Sequence, residues 1–126
     1  MNFKIDTKDK FHVITVAGPI LSAVMAEQLS KDLASILNTS NKNIILSLKE
    51  VQETDVQAGE LLVQLQQKFY DQNASFVICE IGKEVEELLD GKNLLELINS
   101  TPTESEAWDI VQMEEIEREF LDNDGL

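Results

Sequence analysis

The chain has 126 residues, 43% of them hydrophobic and 6% aromatic, which suits one domain with an aliphatic core and excludes a disordered chain. Its formal charge is −14, and residues 102–126 alone hold nine acids and one arginine. Phosphate backbones and anionic lipids repel such a surface, and no apolar run reaches the roughly 18 residues of a membrane span. We therefore expect neither nucleic acid binding nor membrane insertion.

The N-terminal sequence and the cysteine content bear on the compartment. MNFKIDTKDKF lacks the apolar stretch of a signal peptide and alternates as a strand does. Cys79 is the one cysteine, so no internal disulfide can form, as is usual in a reducing compartment. Both features predict a cytoplasmic protein.

The first third of the chain predicts a β-hairpin followed by a helix. FKID and KFHVITVAG have the alternation and the β-branched content of strands, joined by a polar turn at residues 7–9. Residues 21–37 then place apolar side chains at steps of three and four, as one face of a helix does. These side chains are Leu21, Val24, Met25, Leu29, Leu33, Ile36 and Leu37.

The middle of the chain predicts two buried strands separated by a helix. IILSL at residues 44–48 and SFVICEI at residues 75–81 are short apolar runs, typical of strands covered on both faces. TDVQ fits the capping-box pattern, and either Thr54 or Asp55 could cap the helix that follows. We assign Cys79 to the core.

The last third predicts a helix over residues 82–91, a strand over residues 94–100 and a long final helix. The sequence TPTE combines a capping box with proline at the first helical position, and starts that helix, which we expect to end near Leu121. The face packed on the sheet is predicted to include Ala107, Trp108, Val111, Ile116 and Phe120.

The order of elements predicts an α/β fold in a single domain over residues 1–121. The central sheet is mostly parallel, with an N-terminal hairpin at its edge and about four helices packed on it. Residues 122–126 are predicted to be a frayed acidic tail.

Residues suited to catalysis or to metal binding are sparse. His12 is the one histidine and lies in a strand, so we expect a hydrogen-bonded strand residue rather than a ligand. The Gly-Lys pair at Gly82 lacks the other residues of a P-loop, and DNDG at Asp122 ends before a calcium loop is complete. Cys79 has no base beside it in sequence. We predict no cofactor and no metal site.

Two pairs of carboxylates could in principle transfer protons. They are Glu86 with Glu87, and Glu114 with Glu115. On helices this rich in acids such pairs are typical of the solvated surface. We therefore predict that the protein is not an enzyme.

Three stretches together resemble the STAS family, the domain of anti-sigma-factor antagonists. They are VITVAGPI, NIILSLKEVQETDVQAGELLVQL, and the segment from SFVICEI to the helix entered through STPTESEAW. The resemblance covers nearly the whole chain and rests on the order of elements, on Gly18 after the second strand and on Asp55 before the second helix. It implies a domain that acts by binding another protein.

The family pattern before the second helix is Asp, Ser, Ser or Thr, Gly, Leu, and a partner kinase phosphorylates the second hydroxyl residue. In this chain Asp55 keeps the aspartate, but Val56, Gln57 and Ala58 follow. Gln57 occupies the acceptor position and cannot be phosphorylated. Thr54 is a substitute acceptor, although we assign its hydroxyl to the helix cap.

The resemblance predicts a regulator that binds a kinase-like anti-sigma factor or a related partner, without the serine switch. Its partner-binding surface would consist of Glu53, Thr54, Asp55, Val56, Gln57 and Ala58. The alternative reading of this segment is a capped helix with no further role.

Two other functions stay open. One is a small cytoplasmic STAS subunit bound to the ATPase of a lipid-transport ABC system. The other is a nucleotide-binding regulator or an enzyme, which would need a pocket with convergent polar groups. The long acidic C-terminal helix could pack on its own sheet, pair with a second copy in a homodimer, or cover a partner.

Overall fold

The computed structural model describes residues 3–124 of the chain, with side chains through residue 121. Within this range the chain forms an α/β fold with seven strands, four α-helices and two 3₁₀ helices. In chain order these are β1 (Phe3–Thr7), β2 (His12–Val16), β3 (Ile20–Leu21), α1 (Ala23–Ala34), a 3₁₀ helix (Ser35–Asn38), β4 (Ile44–Ser47), β5 (Glu53–Thr54), α2 (Val56–Asp71), β6 (Phe76–Cys79), α3 (Lys83–Gly91), a 3₁₀ helix (Leu95–Leu97), β7 (Ser100–Thr101) and α4 (Glu104–Asp124).

The main sheet has the strand order β1-β2-β4-β6-β7. β1 and β2 are antiparallel, with Phe3 opposite Val16, whereas all the other neighbours in this sheet are parallel. The predicted edge hairpin and the mostly parallel sheet are therefore confirmed. Outside this sheet, β3 and β5 form a short parallel pair. Two-residue strands carry no periodicity, so the sequence pattern did not predict them.

The two faces of the sheet are covered by different helices. α1, α2 and α3 cover one face, where alternate strand residues such as Ile14, Leu46 and Phe76 are fully buried. α4 covers the other face. Its buried cluster contains Phe11, Val13, Ile45, Val77, Cys79, Ala107 and Val111. Burial on both faces explains the near-continuous apolar runs of β4 and β6, and it confirms the assignment of Cys79 to the core.

The strand predicted over residues 94–100 is largely wrong. This segment forms a 3₁₀ helix, and the strand β7 begins only at Ser100. Leu94 and Ile98 are buried while Leu97 is 58% exposed, so the inward-facing residues lie four apart rather than two. That spacing belongs to a helical turn.

The predicted packed face of α4 is correct in the first half of the helix and wrong in the second. Ala107 and Val111 are buried, but Ile116 is 64% and Phe120 is 65% exposed. Polar side chains take the inward positions after Val111. The backbone of α4 is helical through Asp124, while residues 125 and 126 of the predicted tail lie outside the described range, so the frayed tail stays a prediction.

Candidate functional site

The N-termini of α1 and α2 lie side by side because the strands before them pair. In the β3–β5 pair, Ile20 lies opposite Glu53 and Leu21 lies opposite Thr54. Each strand passes through one capping residue directly into its helix. Two parallel strands of equal length therefore start two neighbouring helices at the same level.

Both helices have a side-chain cap. The Ser22 Oγ accepts a hydrogen bond from the Met25 amide (3.2 Å), and the Asp55 Oδ1 accepts one from the Ala58 amide (2.8 Å). Thr54 does not cap α2, so the predicted assignment of its hydroxyl is wrong. The Thr54 hydroxyl instead donates to the Leu21 carbonyl (2.8 Å), which ties β5 to β3.

The turn before β3 has a backbone conformation that favours glycine. Gly18 has φ +92°, in the left-handed region where other residues are strained. The turn aims the Pro19 carbonyl at β5, where it accepts hydrogen bonds from the Gln52 and Glu53 amides (2.7 and 2.9 Å). These bonds fix the two helix N-termini relative to each other.

The predicted partner-binding residues, Glu53 to Ala58, form what we call the docking segment. Glu53, Asp55 and Gln57 are exposed, and Thr54 and Val56 are half-buried. Ala58 is fully buried, so its side chain offers no surface to a partner.

Two exposed apolar side chains lie in the elements that begin beside the docking segment, and the sequence pattern did not reveal them as surface. Ile20, opposite Glu53 in the β3–β5 pair, is 50% exposed, and Val24 in the first turn of α1 is 76% exposed. Val24 was assigned to the packed stripe of α1, which is wrong. The buried residues of that helix are Ala26, Leu29 and Leu33. Since Val24 is two residues before Ala26, it points about 160° away from that line.

The other chemically active residues are held in structural roles. Thr7 Oγ1 and the Asn41 carbonyl each lie 2.9 Å from one ring nitrogen of His12, which confirms the hydrogen-bonded strand histidine. Burial, followed by the charges of Glu104 and Glu80, raises the pKa of the Cys79 thiol to about 12. At neutral pH this thiol is protonated and is a poor nucleophile.

Of the two carboxylate pairs, one is surface and the other is not. Glu86 and Glu87 are exposed, as predicted. Glu114 and Glu115 instead face the body of the protein, so their assignment to the surface is wrong. They belong to a group of hydrogen-bonded side chains that we call the α4 polar network, which consists of Asn43, Tyr70, Ser75, Asn99, Glu114, Glu115 and Arg118.

The α4 polar network joins the second half of α4 to the sheet end where β4 and β6 begin. Glu114 accepts hydrogen bonds from the Tyr70 hydroxyl (2.9 Å) and the Ser75 hydroxyl (2.6 Å). Arg118 donates to the Asn43 Oδ1 (3.1 Å) and pairs with Glu115 (3.1 Å). The network holds the helix in place with polar contacts rather than apolar ones.

Two acid–base groups of the α4 polar network have shifted pKa values. Burial, and then the hydrogen bond to Glu114 and its charge, raise the pKa of Tyr70 to about 12. Burial alone would raise the pKa of Glu115, but hydrogen bonds from Asn43 and Arg118 and the charges of Arg118 and Lys10 lower it overall. Each shift favours the protonation state that the hydrogen bonds require.

Two further kinds of site, a membrane span and a metal centre, are absent from the described residues. No helix within residues 3–124 combines the length and the apolar character that crossing a bilayer requires. The same part of the chain contains no group of three or more His, Cys, Asp and Glu side chains placed to hold a metal ion.

A family model of the STAS domain matches residues 2–107. The chain belongs to the STAS family. No curated protein matches its sequence. Among solved structures, a candidate anti-sigma factor antagonist from Thermotoga maritima is 22% identical, with 87% of this chain and 94% of that chain covered and a TM-score of 0.72.

The anti-sigma factor antagonist SpoIIAA has the same fold in two states. Its unphosphorylated form is 18% identical, with 87% of this chain and 96% of that chain covered and a TM-score of 0.69. The phosphorylated form from Bacillus is 15% identical, with 86% and 98% covered and a TM-score of 0.63. These likenesses confirm the fold of this STAS domain.

Proposed function

We propose that this STAS domain is a non-catalytic interaction module of the cytoplasm, which binds a kinase-like anti-sigma factor or a related regulator through the docking segment. The observation that carries the proposal is the surface formed at the two paired helix N-termini. There, exposed Ile20 lies opposite exposed Glu53, and exposed Val24 and Gln57 are the second residues of the two neighbouring helices. Apolar side chains bordered by polar ones are typical of a protein interface.

The proposed binding is constitutive with respect to phosphorylation at the family position. Gln57 is exposed and is the second residue after the Asp55 cap. A phosphate at this position would be favoured by the helix dipole and the unpaired amides of the first turn. Glutamine cannot accept one. Thr54 is a poor substitute, because its hydroxyl is half-buried and already donates to the Leu21 carbonyl.

Affinity capture from the native cytoplasm tests the surface. The chain would be used as bait beside Gln57→Arg and Val24→Arg, each of which places a bulky charge on the proposed surface. Gln67→Arg is the matched control, since Gln67 is an exposed residue farther along α2. We expect a partner captured by the native chain and the control to be lost with both surface variants, all four proteins giving the same circular dichroism. Equal capture by all four would refute the docking surface.

The identity of the captured partner separates the two interaction functions. A kinase-like regulator supports the proposal, whereas the ATPase of a lipid-transport system supports the alternative.

A Gln57→Ser variant, incubated with a kinase-like partner and ATP, tests the missing switch. We expect mass spectrometry to show one added phosphate on the variant and none on the native chain. Phosphorylation of the native chain within the docking segment would contradict the constitutive model.

A further inference from the structure

The second half of α4 presents a row of exposed apolar side chains, which we call the outer stripe. Met113 is 59%, Ile116 is 64%, Phe120 is 65% and Leu121 is 67% exposed. The first three follow the i, i+3, i+7 spacing of one helix face. The outer stripe is therefore a continuous apolar surface rather than a set of scattered side chains.

The α4 polar network explains why this face points outward. Arg118 lies two helical turns after the buried Val111, so the two share a face, and Arg118 donates to Asn43 and Ser75. Rotating the helix to bury the outer stripe would remove these bonds and leave the polar groups of Asn43 and Ser75 covered by apolar side chains. Such unpaired buried groups are costly, so the orientation is fixed within the chain.

The outer stripe is separate from the docking segment. The Glu104 amide at the start of α4 donates to the Glu80 side chain just after β6, and the polar network of the second half lies beside Ser75 just before β6. The outer stripe therefore lies toward the end of the sheet where the parallel strands begin. The docking segment follows β4 in the chain and starts α2 on the opposite face of the sheet. A partner on one surface leaves the other free.

Area and charge indicate what covers the outer stripe. Four such side chains expose apolar area on the order of a few hundred Å², about half of what a stable interface buries on each partner. The remainder must come from the flanking residues, which are acidic. Glu117 lies one turn after Met113 and one turn before Leu121, and Asp109 lies one turn before Met113.

A second copy of this chain fits the outer stripe poorly. Residues 102–126 hold nine acids and a single base, Arg118, which pairs inward with Glu115. Two such helices in contact would place acid against acid. A partner that carries Lys and Arg beside its own apolar residues would match both features of the surface.

We propose that the outer stripe binds an amphipathic helix of a partner protein, in which an apolar stripe is flanked by lysine and arginine. Helices of this kind recognise an apolar surface through residues at i, i+3 and i+7. The interaction goes beyond the proposed function, because it uses a second surface and a second partner segment.

The test uses fluorescence anisotropy with a labelled synthetic Leu/Lys peptide whose leucines lie at helical spacing. A scrambled peptide of the same composition and a Leu/Glu peptide of the same pattern are the controls. We expect the full chain to bind the patterned Leu/Lys peptide at least tenfold more tightly than either control, since the burial of one large apolar side chain contributes roughly a factor of ten.

The double variant Ile116→Ser/Phe120→Ser removes two of the four apolar side chains of the outer stripe without changing the charge. We expect it to lose at least tenfold in affinity for the patterned peptide. Gln112→Ser on the same helix and Gln57→Arg in the docking segment should each stay within twofold of the native chain. Equal binding by the double variant and the native chain would overturn the proposal, because the attraction would then be that of a basic peptide for an acidic surface.

Sedimentation of the native chain and of the double variant tests whether the outer stripe binds a second copy of the chain. We expect both to be monomeric at all concentrations. A concentration-dependent dimer that the double variant abolishes would assign the outer stripe to self-association and would overturn the proposed partner.

Discussion

The two halves of α4 pack against the body of the protein in different ways. In the first half Ala107 and Val111 are buried on the sheet with Cys79, whereas in the second half Glu114, Glu115 and Arg118 face inward and the apolar residues face outward. One helix is therefore amphipathic in both halves, but with opposite orientation. The side of a helix that packs depends on what it meets, and here the second half meets a polar sheet end.

The spacing of the apolar residues accounts for the change of orientation between the two halves of α4. Val111 and Met113 are two residues apart, so their side chains point about 160° away from each other. The row that starts at Met113 thus lies on the face opposite the row that ends at Val111. A stripe drawn through both rows is not one helix face, although each row alone has helical spacing.

Introducing the same charge into each half of α4 should give the largest difference in the free energy of unfolding. Val111→Asp would bury a carboxylate against the sheet without a partner, and we expect a loss of at least about 3 kcal/mol in the free energy of unfolding. Ile116→Asp adds the same charge where the side chain is exposed, and we expect a change within about 0.5 kcal/mol. Urea unfolding followed by the fluorescence of Trp108, the one tryptophan, measures both.

A large loss in Ile116→Asp would show that the outer stripe is packed within the folded chain. The proposed outward orientation would then be wrong.

Removal of one charge from the α4 polar network should have the next largest effect. Glu114→Gln leaves one side-chain oxygen to accept hydrogen bonds from Tyr70 and Ser75. We expect the free energy of unfolding to fall by about 1–3 kcal/mol. Glu117→Gln makes the same change on the exposed face and should stay within about 0.5 kcal/mol. The midpoints of urea unfolding, at an unchanged dependence of the free energy on urea concentration, give the two changes in stability. Equal losses would mean that the α4 polar network does not stabilise the fold through its hydrogen bonds.

Alkaline titration tests the burial of Tyr70, the one tyrosine of the chain. The pKa of Tyr70 is raised to about 12, so the folded protein holds the phenolic proton more tightly than the unfolded chain does. Its contribution to stability is therefore complete below the unfolded pKa of about 10, and is lost as the pH rises through the folded value.

Tyrosinate absorbance should rise near pH 12 in the folded protein and near pH 10 in urea. In Glu114→Gln the folded pKa should move down, since the hydrogen bond to Glu114 and its charge raise it in the native chain. If Tyr70 of the native chain titrated near pH 10 while the protein was still folded, its hydroxyl would be exposed to water rather than buried.

The sequence predicts those parts of this fold that are determined by the residue pattern of a single element. The apolar runs of β4 and β6 require cover on both faces, and Asp55 before α2 is one of the two caps that the capping pattern allowed. It does not predict the role of Thr54, because its hydroxyl bonds to Leu21, far away in the chain. The inward direction of Glu114 has the same cause. Its partners Tyr70 and Ser75 come together only in the folded structure.

Ile20 and Val24 are the clearest case within the candidate site. Apolar character alone favours burial, yet both are exposed, Ile20 opposite Glu53 in the β3–β5 pair and Val24 in the first turn of α1. Whether an apolar residue is core or interface depends on which neighbours cover it, and the pattern within a single element does not contain that information.

Acid titration of Glu115 should give the smallest effect. Hydrogen bonds from Asn43 and Arg118 and nearby positive charge lower its pKa despite burial, so the ionised form stabilises the fold. That contribution is present above the unfolded pKa of about 4.3 and is lost as the pH falls through the lower folded value. The side chain is 30% exposed, so solvent screening keeps the contribution small.

The difference in unfolding free energy between the native chain and Glu115→Gln isolates this carboxylate from the other acids. At pH 7 we expect the native chain to be more stable by up to about 1 kcal/mol, because Arg118 keeps its charged partner. The difference should shrink toward zero as the pH falls from the unfolded value through the lower folded pKa of Glu115. A constant difference across this pH range would mean that the shape of the side chain, rather than its charge, holds the second half of α4 on the sheet end.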